Sequence, residues 1–342
     1  MSTVRRRELL FGTAGAAALT LAGLRGARAG RDRSYILATA TTGGTYYPVG
    51  VAIATLIKVK LQPKQKIDMS AISSAGSGEN VKLLRENQAQ FAILQGLFGK
   101  WAWTGTGRFA GAGPQTWLRS VTMLWQNVEH FLLYRDYVTT GTVMDLENAY
   151  GKPFSIGKKN SGTEGSGRTI LGNLGIDPEK FELVYLGYGP TADALQNGNV
   201  VGANLPAGPP VSAVTRAMAA VGERLAILKF PPELAAKADG GMNLWTPYTL
   251  EAGTYPNQDE DVPTIAQPNF LGVRADVDEE AVYLIVKTIY ENLPFLHNIH
   301  AATKAMALEK AIAGLPAPLH PGALRFYREA GLEIPEHLLP PQ

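Results

Sequence analysis

None of the 342 residues is cysteine, 18% are charged and 8% are aromatic. Without cysteine there is no disulfide framework, no thiolate zinc site, no iron–sulfur cluster and no cysteine nucleophile. Beyond residue 29 the sparse charges form no basic run and no arginine-rich helix face, so nucleic acid is not an expected partner. Beyond residue 29 no segment reaches the roughly 18 uninterrupted apolar residues that a membrane span needs. The G-x-S-x-G nucleophile elbow is missing too, because Ser166 has Glu164 two places before it. What is present is an ordinary folded-protein share of apolar residues, 45%, in a chain about twice the usual domain length, which calls for two lobes with separate cores.

The formal charge of +2 belongs to the N-terminus. Arg5, Arg6 and Arg7 precede a stretch from Leu9 to Leu24 without a charged residue, and Ala27-Arg28-Ala29 offers small residues at a cleavage site. That order is a secretory signal peptide over residues 1–29. Arg6-Arg7-Glu8-Leu9-Leu10 also resembles the twin-arginine export motif. Removing residues 1–29 takes five Arg and one Glu from 32 basic and 30 acidic side chains, leaving 27 and 29 and a net charge near −2. The expected location is the periplasm.

From Tyr35 onward short apolar runs alternate with helical segments, the pattern of an α/β protein. Strands are predicted at Tyr35–Thr39, Ile67–Ile72 and Phe91–Leu94, with helices over Val49–Leu61 and from Glu79 to about Glu86. The same strand, turn and helix order returns with Phe154–Gly157, a helix to about Leu174, Leu183–Leu186 and a helix from Thr191. Leu84–Gln95 and Leu195–Pro206 even run in the same order of helix end, polar turn and apolar strand. Val128–Tyr134 and Asn269–Arg274 are candidate strands crossing between the blocks. After Asp278 the chain is mostly helical, with Val282, Ile285, Val286, Ile289 and Leu293 in one stripe, and Pro316 to Pro321 breaks it.

Gly/Ser/Thr turns at 41–45, 73–78, 160–164, 187–190 and 207–210 each follow a strand and open a helix. First-turn N–H groups carry partial positive charge, and strand C-termini of open α/β sheets face the ligand crevice, so the turns point to a polar site for an anion. Each turn alone is also what any strand-to-helix connection requires. Gly162 to Thr169 reads G-x-x-x-x-G-R-T, close to a phosphate-binding loop but with Arg168 in place of the required lysine. His297 and His300 share helical spacing, though their apolar flanks favour a plain helix over a metal site. Glu164 reads as a helix cap and Glu129 as a structural hydrogen-bond acceptor rather than a catalytic pair. Tyr46, Tyr47, Trp101, Trp103, Trp125 and Tyr188 lie near the turns, some as core and some as walls of a small-molecule site.

Four segments, taken together and in order, resemble the TAXI-type solute-binding proteins of TRAP transporters: Thr42-Gly43-Gly44-Thr45-Tyr46-Tyr47-Pro48, Asn160-Ser161-Gly162-Thr163-Glu164, Ala252 to Val262, and His320-Pro321-Gly322-Ala323. The resemblance implies a two-lobed α/β protein of the type II periplasmic binding protein fold, with the ligand cleft between the lobes. Residues 30–126 and 276–342 are expected in lobe I and 127–275 in lobe II. It implies a protein that is not an enzyme and has no cofactor, metal or catalytic residues. Its partners would be a small organic anion or amino acid and a membrane-embedded TRAP permease for sodium-coupled uptake, with a type II binding protein of an ATP-driven importer as the alternative and a periplasmic enzyme as a remoter one. Carried over by position, the ligand residues are Thr42, Gly44, Thr45, Tyr46, Ser74, Gly76, Ser77 and Gln95 on one lobe. On the other they are Ser161, Gly162, Thr163, Asn204, Ala207 and Gly208. The chain departs from its relatives at Gly96-Leu97, at Lys158-Lys159-Asn160 and at Asn204, which bears on the identity of the ligand.

Overall fold

Residues 32–341 are described by a computed structural model. The export signal and its twin-arginine reading lie outside these residues. Among the described residues no helix is long and apolar enough to cross a membrane.

The first block runs β1 (Arg33–Ala38), α1 (Tyr46–Gln65), β2 (Ile67–Ile72), α2 (Ser77–Arg85), β3 (Phe91–Gln95), α3 (Gly96–Thr104) and the long β4 (Leu118–Val128). The second block follows as β5 (Phe131–Tyr134), β6 (Pro153–Ser155), α4 (Gly162–Leu174), β7 (Glu182–Val184), α5 (Tyr188–Gln196), β8 (Gly202–Asn204), α6 (Ser212–Val221), β9 (Leu225–Ile227) and α7 (Pro232–Asp239). The chain ends with β10 (Thr246–Leu250), β11 (Val262–Arg274), α8 (Glu279–Glu291), α9 (Leu293–Ile299) and α10 (Pro321–Glu329).

The two blocks make two sheets of one plan. In the first the order is β2-β1-β3-β11, with β1, β2 and β3 parallel and β11 antiparallel. In the second it is β7-β6-β8-β5, with β6, β7 and β8 parallel and β5 antiparallel. Strands β3 and β8, which carry the two similar sequence segments, occupy matching places. This is the type II periplasmic binding protein fold that the resemblance implies. Apolar strands such as Phe91–Leu94, fully buried on both faces, are what a parallel sheet covered by helices demands.

The crossing strands differ from the sequence pattern: the strand expected over Val128–Tyr134 is split between two sheets, and the one expected over Asn269–Arg274 is longer. β4 reaches Val128 before the chain breaks at Glu129-His130 and re-forms as β5. β11 starts at Val262 and runs through Pro268, a residue that argues against a strand in sequence. Pro268 is tolerated because the β4–β11 register shifts between Pro268 and Phe270. β10 and β11, although inside the 127–275 segment expected in lobe II, hydrogen-bond into the first sheet through this pairing.

Two motifs prove to be structural anchors. His320 caps α10: its Nδ1 accepts from Gly322 N at 3.2 Å and its Nε2 donates to Val277 O at 3.0 Å. A Cβ on Gly322 would lie 2.2 Å from Glu279 O, so α10 docks on α8 only with glycine there. Tyr255, in the Ala252–Val262 segment, receives Val211 N at 3.1 Å and meets His130 Nε2 at 2.8 Å through its hydroxyl. It thereby fixes the chain leaving β8.

Glu129 sits where the chain passes from one sheet to the other and is fully buried. Its carboxylate accepts from Asn204 Nδ2 at 3.0 Å and Trp245 Nε1 at 3.3 Å, while Thr264 Oγ1 donates to its carbonyl at 2.8 Å. Burial pushes its carboxyl up to about 7, against the opposing pull of these donors. Burial likewise pushes the His320 imidazole down to about 4.

These shifts have opposite signs. A carboxyl raised from 4.5 to about 7 costs stability as pH climbs through that window, by about 3 kcal/mol at most. Glu129→Gln should lose this slope in urea denaturation across a pH series, and an unchanged slope would put the proton elsewhere. The stability held by neutral His320 is present above 6.5 and lost as pH falls toward 4. His320→Ala should cost about 1–2 kcal/mol at neutral pH and flatten the acid loss in the same measurement.

Candidate functional site

Parallel strands bring their C-terminal ends, and the N-termini of the helices that follow, to one edge of each sheet. The two edges face each other across a cavity. One wall carries Ala40, Thr41, Gly44, Thr45 and Tyr46 after β1, Ala75, Gly76 and Ser77 after β2, and Gln95 at the end of β3. The opposite wall carries Lys158, Ser161, Gly162 and Thr163 after β6, Leu186, Gly187 and Tyr188 after β7, and Pro206 and Ala207 after β8, while Asn127 of β4 completes the lining. Measured to the centre of a water molecule the cavity is about 40 Å³, room for about three waters, so a larger ligand is admitted only with the walls parted.

Ten expected site residues line this cavity: Gly44, Thr45, Tyr46, Gly76, Ser77, Gln95, Ser161, Gly162, Thr163 and Ala207. Four lie outside the lining. Thr42 is exposed. Ser74 turns its hydroxyl to Thr39 O at 3.0 Å and Asn80 Oδ1 at 2.6 Å, holding the turn before α2. Asn204 is buried behind the wall on Glu129. Gly208 contributes its carbonyl, which receives Thr45 Oγ1 at 2.8 Å. Asn127 was not foreseen, because it sits on a strand rather than in a small-residue turn and no local pattern marks it. Tyr188, noted only as an aromatic near a turn, proves to be a wall.

Most wall hydroxyls are already engaged within the protein. Tyr46 donates to Asn269 Oδ1, Tyr188 donates to Pro206 O, and Thr163 meets Tyr188 at 3.0 Å. Ser77 Oγ accepts from Gln95 N at 3.1 Å, and Ser161 Oγ accepts from Glu164 N at 3.0 Å. Burial pushes both tyrosine hydroxyls upward, so neither supplies negative charge at neutral pH.

The lining has one charged side chain, Lys158. Its neighbour Lys159 lies instead 4.9 Å over the Tyr185 ring. Glu164 is turned away: it accepts from Asn160 N at 2.8 Å, just before the Ser161 cap, and it pairs with Arg108 at 3.1 Å. Arg168 binds Glu164 and Glu179, so the G-x-x-x-x-G-R-T run is the first turns of α4 and not a phosphate loop. His300 Nδ1 accepts from Ala302 N at 3.1 Å as a local cap. Among the described residues no group of three or more His, Cys, Asp or Glu is placed to hold a metal ion.

The walls touch through backbone. Glu79 N donates to Asn160 O at 3.0 Å, and Ala213 N and Ser212 Oγ donate to Gly43 O at 3.1 and 3.0 Å. A Cβ on Gly78 would stand 2.4 Å from Asn160 O, so that contact requires glycine. The geometry is a closed cleft whose polarity comes from helix N-termini, two side-chain amides and one lysine.

Solved structures of similar topology are distant in sequence. The alkanesulfonate-binding protein of Xanthomonas axonopodis pv. citri is 11% identical, covering 88% of this chain and 92% of its own, with a TM-score of 0.47. A binding protein component of an ABC phosphonate transporter from Pseudomonas aeruginosa is 11% identical over 80% of this chain and 79% of its own, with a TM-score of 0.49. A putative L-cystine ABC transporter protein from Listeria monocytogenes is 10% identical over 80% and 97%, with a TM-score of 0.45. The sequence match is broader in what it decides: the model of the NMT1-like family covers residues 37–331. The chain therefore belongs to the NMT1-like family.

Proposed function

We propose that the protein is an extracytoplasmic solute-binding protein that captures a small organic anion, a carboxylate in the first instance, and hands it to a membrane importer. The observation that carries this reading is the cavity itself: five helix N-termini and Lys158 converge on it, and no acidic side chain lines it. In a chain with net charge near −2 beyond residue 29, such local dipoles and one placed cation attract an anion without a general positive field. The lining offers no nucleophile with an adjacent base, and this supports binding over catalysis.

Capture follows from the hinge. The β4–β11 pair and the Val128–Phe131 passage bend, the walls part, and an anion enters between them. Closure remakes the Glu79–Asn160 and Ala213–Gly43 bonds around it, and a ligand drives closure only by favouring the closed state. The four sequence segments favour a sodium-coupled TRAP permease as the receiver. Two of the solved structures named above are described as parts of ABC transporters, and an ATP-driven importer is the alternative receiver.

A thermal-shift and calorimetric screen of monocarboxylates, dicarboxylates, amino acids, sulfonates and phosphonates is the direct test. At least one anion class should raise the melting temperature in a concentration-dependent way, and no stabilisation by any would sink the proposal. Lys158→Met should weaken the binding of that class by about 1–3 kcal/mol in calorimetry, whereas unchanged affinity would remove the lysine from the site. Gly78→Ala should leave the fold intact but hold the walls apart, seen as weaker binding and a larger radius of gyration with ligand in small-angle scattering. Uptake into vesicles carrying the cognate permease, energised either by a sodium gradient or by ATP, separates the two importer classes.

A further inference from the structure

An anion held in the cavity, the reading on which this inference rests, shares the closed cleft with a second acid. Glu129 lies in the passage between the sheets, just beyond Asn127 of the lining, and is fully buried. Val128, between the two, is bonded through both its backbone groups to Ala207 of the opposite wall, each at 3.0 Å. The Glu129 carboxylate accepts from Asn204 on β8 of the second sheet and from Trp245 just ahead of β10, which joins the first, so it touches both halves of the protein at once. After burial, its charge is among the influences that raise the hydroxyls of Tyr46 and Tyr188, one on each wall, so its field extends to the cavity.

The charges in this region do not balance once an anion enters. The groups that hold the Glu129 carboxylate are neutral: Asn204 and Trp245, with Ser166 and Gln267 also favouring the charged form. The lining supplies a single cation, Lys158. One lysine set against an incoming carboxylate and an ionised Glu129 leaves a negative charge uncompensated, in a space too small for more than a few waters. Like charges that share a poorly hydrated site drive one of them to take a proton. Closure acts in the same direction, because bending at the Val128–Phe131 passage hydrates Glu129 and closing strips that water away.

The neighbouring titratable groups leave the proton to Glu129. Burial raises Tyr46 of α1 and Tyr188 of α5 and pushes His130 down to about 4, so none of the three changes charge near neutrality. Asp239, at the end of α7, is occupied by the backbone N–H groups of Asn243, Leu244 and Trp245. Glu164 of α4 pairs with Arg108 and Arg168. We propose that the protein takes up one proton from solvent together with each anion, and that the Glu129 carboxyl is where that proton binds. The anion is then held with Lys158 as its counter-charge, and the buried acid behind the wall is neutral.

The test is calorimetry on the purified protein with the tightest binder among acetate, pyruvate, glutamate and ethanesulfonate, none of which changes its own charge near neutrality. Titrations in pairs of buffers with different ionisation enthalpies, between about pH 6 and pH 8.5, count the protons exchanged. Binding should take up a proton, approaching about one per anion, and affinity should fall as pH rises, by up to about tenfold per pH unit. Glu129→Gln, which fixes the neutral form, should lose the uptake and flatten the pH dependence, with circular dichroism checking the fold. If that variant does not fold, difference infrared spectra of the unaltered protein should show a carboxylate band lost and a protonated-carboxyl band gained on binding. An anion that binds without proton uptake would overturn the proposal, as would uptake that persists in folded Glu129→Gln or infrared spectra without that exchange of bands. In those cases only this inference fails. If none of the four probes binds and no anion stabilises the protein, the anion reading fails and the proton site with it.

Discussion

The antiparallel pairing of β4 with β11 is the interaction on which the remaining structure depends. β11 is hydrogen-bonded to β3 of the first sheet and to β4, and β4 leads through Glu129 and His130 into the second. The pair thus fixes the distance at which the two rows of strand ends face each other. Every cavity residue sits at one of those ends or on β4, so a shift in this pairing would displace both walls. The register shifts around Pro268 and Leu271 absorb the bend within the pairing rather than by breaking it.

Around this passage the protein buries polarity that it does not neutralise with opposite charge. Glu129 is met by an amide and an indole N–H, and His130 by a tyrosine hydroxyl. In a low-dielectric interior such contacts orient a group without cancelling its desolvation, which explains why the carboxyl lies near 7 and the His130 imidazole near 4. The cleft follows a different rule. Its polarity is supplied by backbone N–H groups that the helices leave unpaired, together with a few side chains at its edge and floor. A site made this way needs small residues where walls meet, as at Gly78 against Asn160 and Gly165 against Phe98.

Much of the fold was legible in the sequence because local periodicity and turn chemistry agreed. Ile67–Ile72 is a strand with the predicted bounds, α4 ends at Leu174 as expected, and the stripe Val282, Ile285, Val286, Ile289 is the buried face of α8. Where expectation and structure part, a tertiary contact has overridden a local signal. Leu293 continues the stripe in sequence yet opens a new helix after Asn292, and Pro268 lies inside a strand. Of the site, the small-residue turns were readable, since each follows a strand and opens a helix. Ser74 and Asn204, expected by position from the resemblance, lie behind the wall, because position along a turn or strand does not report which side chain points inward.

By itself the sequence determined the alternation of strands and helices, the absence of thiol chemistry, the return of one strand, turn and helix order in two blocks and the places where backbone N–H groups would be left free. Those follow from residues near one another in the chain, whose conformational preferences are local. Only the tertiary structure decided which of two adjacent lysines faces the cavity, that the Gly162 to Thr169 run is a capped helix start, and that Asn127 reaches the floor. These outcomes depend on residues far apart in sequence, Asn127 beside Gln95 and Lys158 across from both, and their relative placing exists only once β4 and β11 have brought the two sheets together.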